Sequence, residues 1–296
     1  ALLADELKKC PTDRLYLRVA CRTADWPHSF ERDLLGLWGQ ERVGVYELAP
    51  LRLADVVEAA KANGLDANVF TRQIATIGVV PLAIKPVTLS LLINTFRQTG
   101  QFPRTQTELY QQGCRLLCEE PNDRRRDAGL TGELSAEQRL AVASRIAAVT
   151  IFCGRYAIWT ELDRGDVPPE DVTIEGLSGS REIVRGSPFE IQEAAVRETL
   201  RTGLFSSRGS HRIGWAHQTY AEFLAALYLT GRDSPSKQIT SILAHSGDPD
   251  GRIVPQLHET AAWLAGMRPD VFRYIMQVDP EVLLRSDVTK TDVQDR

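Results

Sequence analysis

The sequence predicts a mainly α protein with an incomplete α/β part: a parallel-sheet remnant at its start, then a helical bundle, then helices set around one β-hairpin, then the start of an α-solenoid. Three observations predict it. Tyr220, Phe223, Leu224, Leu227 and Tyr228 recur at the i, i+3, i+4, i+7 spacing of one helix face, and Leu89, Leu91, Leu92, Ile93 and Phe96 crowd another helical stretch. Short apolar runs alternate with helical patterns through the first 66 residues, as in a doubly wound sheet. Gly203-Leu204-Phe205-Ser206 and His211-Arg212-Ile213-Gly214 flank Ser207-Arg208-Gly209-Ser210, which reads as a hairpin with a four-residue turn.

Residues 1–66 form the first unit, the C-terminal part of an α/β domain. Ala1 to Lys9 is patterned as a helix, and Leu15 to Cys21 as a buried strand of the parallel-sheet kind. After Pro27 a helix runs from Ser29 to Trp38, capped by Ser29 or His28. Val43 to Leu48 is a second strand, and Leu53 to Asn63 a helix that Gly64 stops. Two strands do not make a sheet of ordinary size, so the missing strands are expected upstream. The opening residues read as the middle of a helix and lack an initiator methionine, which carries the same expectation of a piece cut from a longer protein.

Residues 67–130 form an all-helical unit, with helices at Ala67–Ile77, Pro86–Thr99 (stopped by Gly100) and Gln106–Glu120, and a solvated polar loop from Asn122 to Gly129. Residues 131–232 follow a winged-helix layout. A long helix from Ser135 to Phe152 opens on Ser135 and Gln138 at capping-box spacing. Thr160 to Pro188 reads as a polar, Gly- and Pro-rich loop. Phe189 to Thr202 is a helix ended by Gly203, and the hairpin and the helix after His217 complete the layout. Residues 233–296 hold short helices at Lys237–Ala244, Pro255–Ala265, Pro269–Val278 and Pro280–Leu284. Several open on proline, whose missing N–H costs nothing there, and stacked short helices are how a solenoid begins.

Composition narrows the function. Hydrophobic residues at 43% and charged ones at 25% are ordinary for a globular domain. The net charge of −4 supplies no global basic field for nucleic acid. Five cysteines, an odd number in no tight framework, fit a reducing cytoplasm better than a disulfide scaffold. No apolar run is long enough to span a membrane. Cys114 and Cys118 share one helix face, yet no second ligand pair follows at zinc-like spacing.

Four segments carry chemistry. Cys21-Arg22-Thr23, followed by Trp26-Pro27, places a cation at the carboxyl end of a strand, where α/β sheets bind ligands. Pro81 and Pro86 precede the apolar helix at Leu89; a proline at a helix start is also an ordinary structural choice. Pro103-Arg104-Thr105 leads into Leu109-Tyr110. Last, Arg212-Ile213-Gly214-Trp215-Ala216-His217-Gln218-Thr219-Tyr220-Ala221-Glu222-Phe223-Leu224-Ala225-Ala226 joins an apolar strand to an amphipathic helix with a histidine at the joint, which by itself need do no more than pack locally.

In order and spacing these segments resemble the NACHT family of signalling NTPases of the STAND class, over about residues 1 to 230. The resemblance implies a nucleotide-binding set of Arg22, Pro86 and His217. Arg22 would reach the γ-phosphate of ATP through its bidentate fork. Pro86, or in second place Pro81, would pack on adenine, while His217 would touch the β-phosphate of ADP and hold the protein off. Leu109-Tyr110 matches a structural segment. The implied cofactor is ATP or ADP, with Mg in the intact parent. The implied setting is cytoplasmic, in prokaryotic defence or cell-death signalling. Its partners would be the upstream part of the same protein, further copies on activation, and an unidentified trigger. The chain departs from the family in one respect: it has no Gly-x-x-x-x-Gly-Lys-Ser/Thr loop and no apolar strand ending in an acidic pair, since Asp5-Glu6 sits in a helical pattern. Hydrolysis needs those parts, so this chain alone is not expected to hydrolyse ATP. The alternative is a winged-helix DNA-binding regulator, because Arg197, Arg201, Arg208 and Arg212 cluster at the hairpin; a helical scaffold is the third reading.

Overall fold

The structure, a computed structural model, describes residues 2–19, 28–46, 48–103, 105–119, 132–161, 167–232, 234–245 and 247–285. Among these residues helix takes up 58% and strand 9%, which places the chain in the mainly α class, with one small mixed sheet and one separate hairpin. The helices before the sheet are α1 (Leu2–Leu7), α2 (His28–Trp38), α3 (Leu53–Ala62), α4 (Ala67–Ile77), α5 (Val80–Ala83), α6 (Pro86–Thr99), α7 (Gln106–Leu117) and α8 (Ala136–Phe152). Their ends follow the local chemistry. Asp66 caps α4 by accepting the Asn68 and Val69 N–H groups at 2.9 and 3.1 Å. Gly78 and Gly100 close α4 and α6 in the left-handed conformation that glycine adopts without strain. The capping box on α8 is complete: Ser135 Oγ accepts the Gln138 N–H at 3.2 Å, and Gln138 Oε1 accepts the Ser135 N–H at 2.8 Å.

The described residues of the strands expected at 15–21 and 43–48 form no strand. Residues 15–19, 43–46 and 48 are irregular and enter no sheet, and Tyr16, Tyr46 and Leu48 are almost wholly exposed. Ala20, Cys21 and Glu47 lie outside the described residues. An apolar run becomes a strand only when a neighbour takes up its N–H and C=O groups, and no described residue does so here. Parallel pairing occurs instead between β1 (Ile158–Trp159) and β2 (Val172–Thr173). Two more corrections fall on the stretch that reads as a loop and a helix. It holds β2, the single turn α9 (Ile174–Leu177), and a hairpin of β3 (Ser180–Val184) and β4 (Ser187–Ile191); only after it does α10 run from Glu193 to Leu200. Arg185 and Gly186 both take positive φ, 51° and 80°, as a two-residue hairpin turn requires, and side chains along β3 alternate between half-buried and exposed.

The sequence-read hairpin is present as β5 (Phe205–Ser207) and β6 (Arg212–Trp215), with Phe205 opposite Trp215 and Ser207 opposite Ile213. The mixed sheet runs β2-β1-β6-β5. Beyond it lie α11 (Gln218–Thr230), α12 (Ser236–Leu243), α13 (His258–Met267) and α14 (Pro269–Val278), with a 3-10 turn at Pro280–Arg285. One hydrophobic core extends from Val56 to Leu283 and crosses each of the unit boundaries read from the sequence. At its centre α11 packs on α8 and α13. The Tyr110, Phe223 and Trp263 rings of α7, α11 and α13 meet with centroids 5.5, 4.8 and 5.1 Å apart.

A buried ion pair ties the ends of four segments together. Arg139 of α8 donates to Glu198 of α10 at 2.8 Å and to the Cys118 carbonyl at the end of α7 at 2.9 Å. Glu198 also accepts the Glu133 and Leu134 N–H groups at 2.9 and 3.1 Å. Gly132, at φ 81°, passes so close that a side chain there would run into the Glu198 carboxylate. Removing one partner leaves the other buried and uncompensated. Glu198→Ala is therefore expected to lower unfolding stability by about 3 kcal/mol in a urea titration; a loss below about 1 kcal/mol, the scale of exposed pairs, would show that Arg139 holds the junction without it.

Candidate functional site

His217 stands where β6 gives way to α11. Its backbone is extended (φ −147°, ψ 139°), and its Nδ1 accepts the Thr219 N–H at 3.2 Å, so the imidazole itself is the helix cap. An Nδ1 that accepts leaves the proton on Nε2, which has no partner among the described residues. Burial holds the His217 pKa below its ordinary 6.5, because a half-buried cation loses hydration. The ring is therefore neutral at pH 7 and presents an N–H donor.

The first turns of α11 form one wall of a cleft of about 290 Å³. Gln218, Thr219 and Glu222 face it from α11, and Gln106, Thr107 and Tyr110 from α7. Glu259, Ala262, Trp263 and Gly266 face it from α13, and Gly78 and Pro81 close the last side. The positions are spaced i, i+1, i+4 in α7 and α11 and i, i+3, i+4, i+7 in α13, on one side of each helix. Hydrogen bonds fix the corner: Gln106 Nε2 and the Tyr110 hydroxyl donate to the Gly78 carbonyl at 2.8 and 3.4 Å, and the Tyr220 hydroxyl to the Pro81 carbonyl at 2.5 Å. Glu222 is half-buried, and its carboxyl is pushed above the usual range by burial and then by Glu259, with a hydrogen bond from Gln218 acting the other way.

Of the three nucleotide-binding candidates, Arg22 lies outside the described residues. Pro86 is the exposed first residue of α6 and does not line the cleft. Pro81, second in the sequence comparison, does line it and is joined directly to the His217 helix through Tyr220. Glu222 was open to sequence reasoning, being the one charged residue in α11. Nothing local singles out Gly78, Gln106 and Glu259, which reach the cleft through tertiary packing.

Of the four arginines around the hairpin, Arg197 and Arg212 are half-buried, whereas Arg201 and Arg208 are exposed. Arg212 makes a two-pronged pair with the buried Asp171, both contacts at 2.7 Å, and lies over the Tyr156 ring. Arg208 donates to Ser206, Ser207 and the Trp215 carbonyl, and Arg197 to the Thr160 carbonyl. Cys114 and Cys118 are buried, and burial pushes the Cys118 thiol up to about 12 and raises Cys114 as well, so both serve as core. No metal-holding cluster occurs among the described residues, and no described helix is long and apolar enough to cross a membrane. Compared with known proteins, the chain matches no protein-family model and no curated protein.

Two predictions follow from the capping histidine and the cleft carboxylate. His217→Ala should cost about 1 kcal/mol, the usual loss for a missing cap acceptor, and His217→Asn should restore most of it. The folded-state pKa of His217 lies below the unfolded one, so its contribution is present above pH 6.5 and is lost as the pH falls below that value; thermal melts at descending pH should show this loss in the natural chain and not in His217→Asn. Glu222 has the opposite sign. Its folded pKa is raised above 4.5, so the charged form weighs against folding once the pH exceeds that range. Glu222→Gln is expected to raise the melting temperature at pH 7 and to lose that advantage near pH 4.

Proposed function

We propose that the chain is the distal part of a nucleotide-gated signalling switch of the NACHT type. The reading rests on one observation above others: a neutral, half-buried histidine caps the helix that follows a hairpin, and the next turn of that helix is anchored by Tyr220 to the Pro81 segment. A donor on Nε2 suits a phosphate oxygen, and the exposed ring of Pro86 or the cleft-lining ring of Pro81 suits the face of a base. In the off state ADP would bridge Arg22, the proline segment and His217. Exchange for ATP would remove the His217 contact and free the hairpin and α11 unit to move, because a ligand shifts a conformational equilibrium only by contacts that differ between its states. The freed surfaces would support self-assembly in cytoplasmic defence or cell-death signalling. Mg would be held by parts of the parent outside this chain, and the trigger would act through the helices after α11.

The test is direct. The full-length parent, purified without added nucleotide and heat-denatured, is expected to release ADP in near one-to-one amount by chromatography. His217→Ala in the parent is expected to weaken ADP retention by about tenfold, equivalent to one hydrogen bond to a charged group, and to lower the activation threshold. Absence of released nucleotide, together with no ATP or ADP binding by calorimetry, would overturn the reading. So would a His217→Ala parent that keeps its ADP.

A further inference from the structure

We propose that the outer face of the β3–β4 hairpin is a contact surface for a second copy of this chain, related to the first by a two-fold axis that runs along the strands. The proposal goes beyond the nucleotide reading and does not rest on it. The hairpin supplies none of the residues assigned to nucleotide and none of the cleft lining.

The strand register decides which side chains share that face. Arg181 stands opposite Glu190, and Ile183 opposite Pro188. All four are exposed, whereas Glu182, Val184 and Phe189 are half-buried and Ile191 is buried. Residues directly opposite in an antiparallel pair lie on one side of the sheet. A sheet face left to water carries polar residues at its outward positions. Ile183, 77% exposed, breaks that rule, and Pro188 beside it widens the apolar spot. The flanking charges make the spot complementary to itself. A two-fold axis along the strands lays β3 of one copy on β4 of the other at the same height. Ile183 then meets Pro188, Arg181 meets Glu190, and each contact occurs twice, as in any isologous interface. A second copy therefore brings the matching order of charges with it. Among the described residues, neither Arg181 nor Glu190 has a side-chain hydrogen bond or ion pair to give up.

The hairpin is also held in place. Glu182 accepts from Arg145, Tyr228 and Arg232 at 3.5, 3.2 and 2.6 Å, and Arg185 at the turn pairs with Glu137 of α8 at 2.6 Å. A face fixed in this way loses little conformational freedom on association. It is also small. Two strands of five residues each fall well short of the roughly 800 Å² per partner of a standard interface. The dimer is therefore weak, in the micromolar-to-millimolar range, and forms where local concentration is high.

Sedimentation velocity on the full chain at rising concentration, without nucleotide, is the test. The natural chain is expected to pass reversibly from monomer to dimer. Arg181→Glu and Glu190→Arg should each weaken the dimer by about tenfold, since each turns two attractive contacts into repulsive ones, and Ile183→Asp should abolish it. The sharpest sample is an equimolar mixture of the two charge variants. One then presents a wholly negative pair and the other a wholly positive one, so the mixture should associate at least as well as the natural chain. Within a single hairpin each variant sets like charges opposite one another, which mixing does not cure, so recovery reports contact between copies alone. Circular dichroism checks that each variant folds. A natural chain that stays monomeric into the millimolar range, association unchanged by either charge reversal, or a mixture of folded variants no better than its parts would each overturn the proposal. No nucleotide enters the experiment, so failure here leaves the nucleotide switch untouched, and failure of the switch leaves this result untouched.

Discussion

Tyr110, Phe223 and Trp263 come from helices far apart in sequence, yet their rings share one buried spot, and the arrangement of α7, α11 and α13 depends on their meeting there. Each ring pair contributes about 0.5–1.5 kcal/mol beyond the area it buries. Geometry matters more than that sum. Two edge-to-face contacts and one tilted contact at these separations fix both the distance and the rotation of three helix faces, and the Tyr110 hydroxyl is committed to the Gly78 carbonyl. The turns adjoining the cluster are thereby held apart, with polar side chains on their facing surfaces, and the cleft is what remains between them. Packing of the apolar residues in this way sets the positions of the polar ones.

The buried charges follow a consistent pattern. Glu198 is paired with Arg139 and caps two backbone N–H groups. Asp171, with no exposed side-chain surface, is matched by Arg212. Glu182 of β3 draws Arg145 of α8, the Tyr228 hydroxyl and Arg232, which pins the β3–β4 hairpin to α8 and α11. In each case desolvation of a carboxylate is offset by an arginine held in place by its surroundings. Among the described residues, Glu222 has Gln218 as its hydrogen-bond partner.

Helices were legible where the chain carries its own start and stop signals. Asp66, Gly78, Gly100, Ser135 and Gln138 act on groups within a few residues of themselves, so Ala67–Ile77, Pro86–Thr99 and the helix after Ser135 stand where the pattern places them. Strands behaved differently because their hydrogen bonds lie elsewhere in the chain. Leu15 to Cys21 has strand composition, yet its described residues have no neighbour, whereas the modest Ser180–Val184 and Ser187–Ile191 pair because Arg185-Gly186 turns the chain back on itself. The stretch from Phe189 suits a helix by composition and is a strand as far as Ile191, since its hairpin partner outbids the local preference. The functional site divides along the same line. His217 was visible as a histidine at a strand-to-helix joint, and the structure makes it the cap of α11. The choice of Pro86 over Pro81 was a matter of adjacent residues, but the contact to Tyr220 belongs to Pro81.

By itself the sequence determined the mainly α class, the helix boundaries set by caps and glycines, the β5–β6 hairpin and the histidine at the head of α11, because each rests on interactions reaching no more than a turn or a hairpin along the chain. Only the tertiary structure decided which strands find partners, that one core unites the helical units, that Arg212 pairs with the buried Asp171, and that Glu222 and Glu259 face one cleft. Those outcomes depend on contacts between residues remote in sequence, which no local periodicity encodes; they are settled when the aromatic cluster and the Arg139–Glu198 pair bring their helices together.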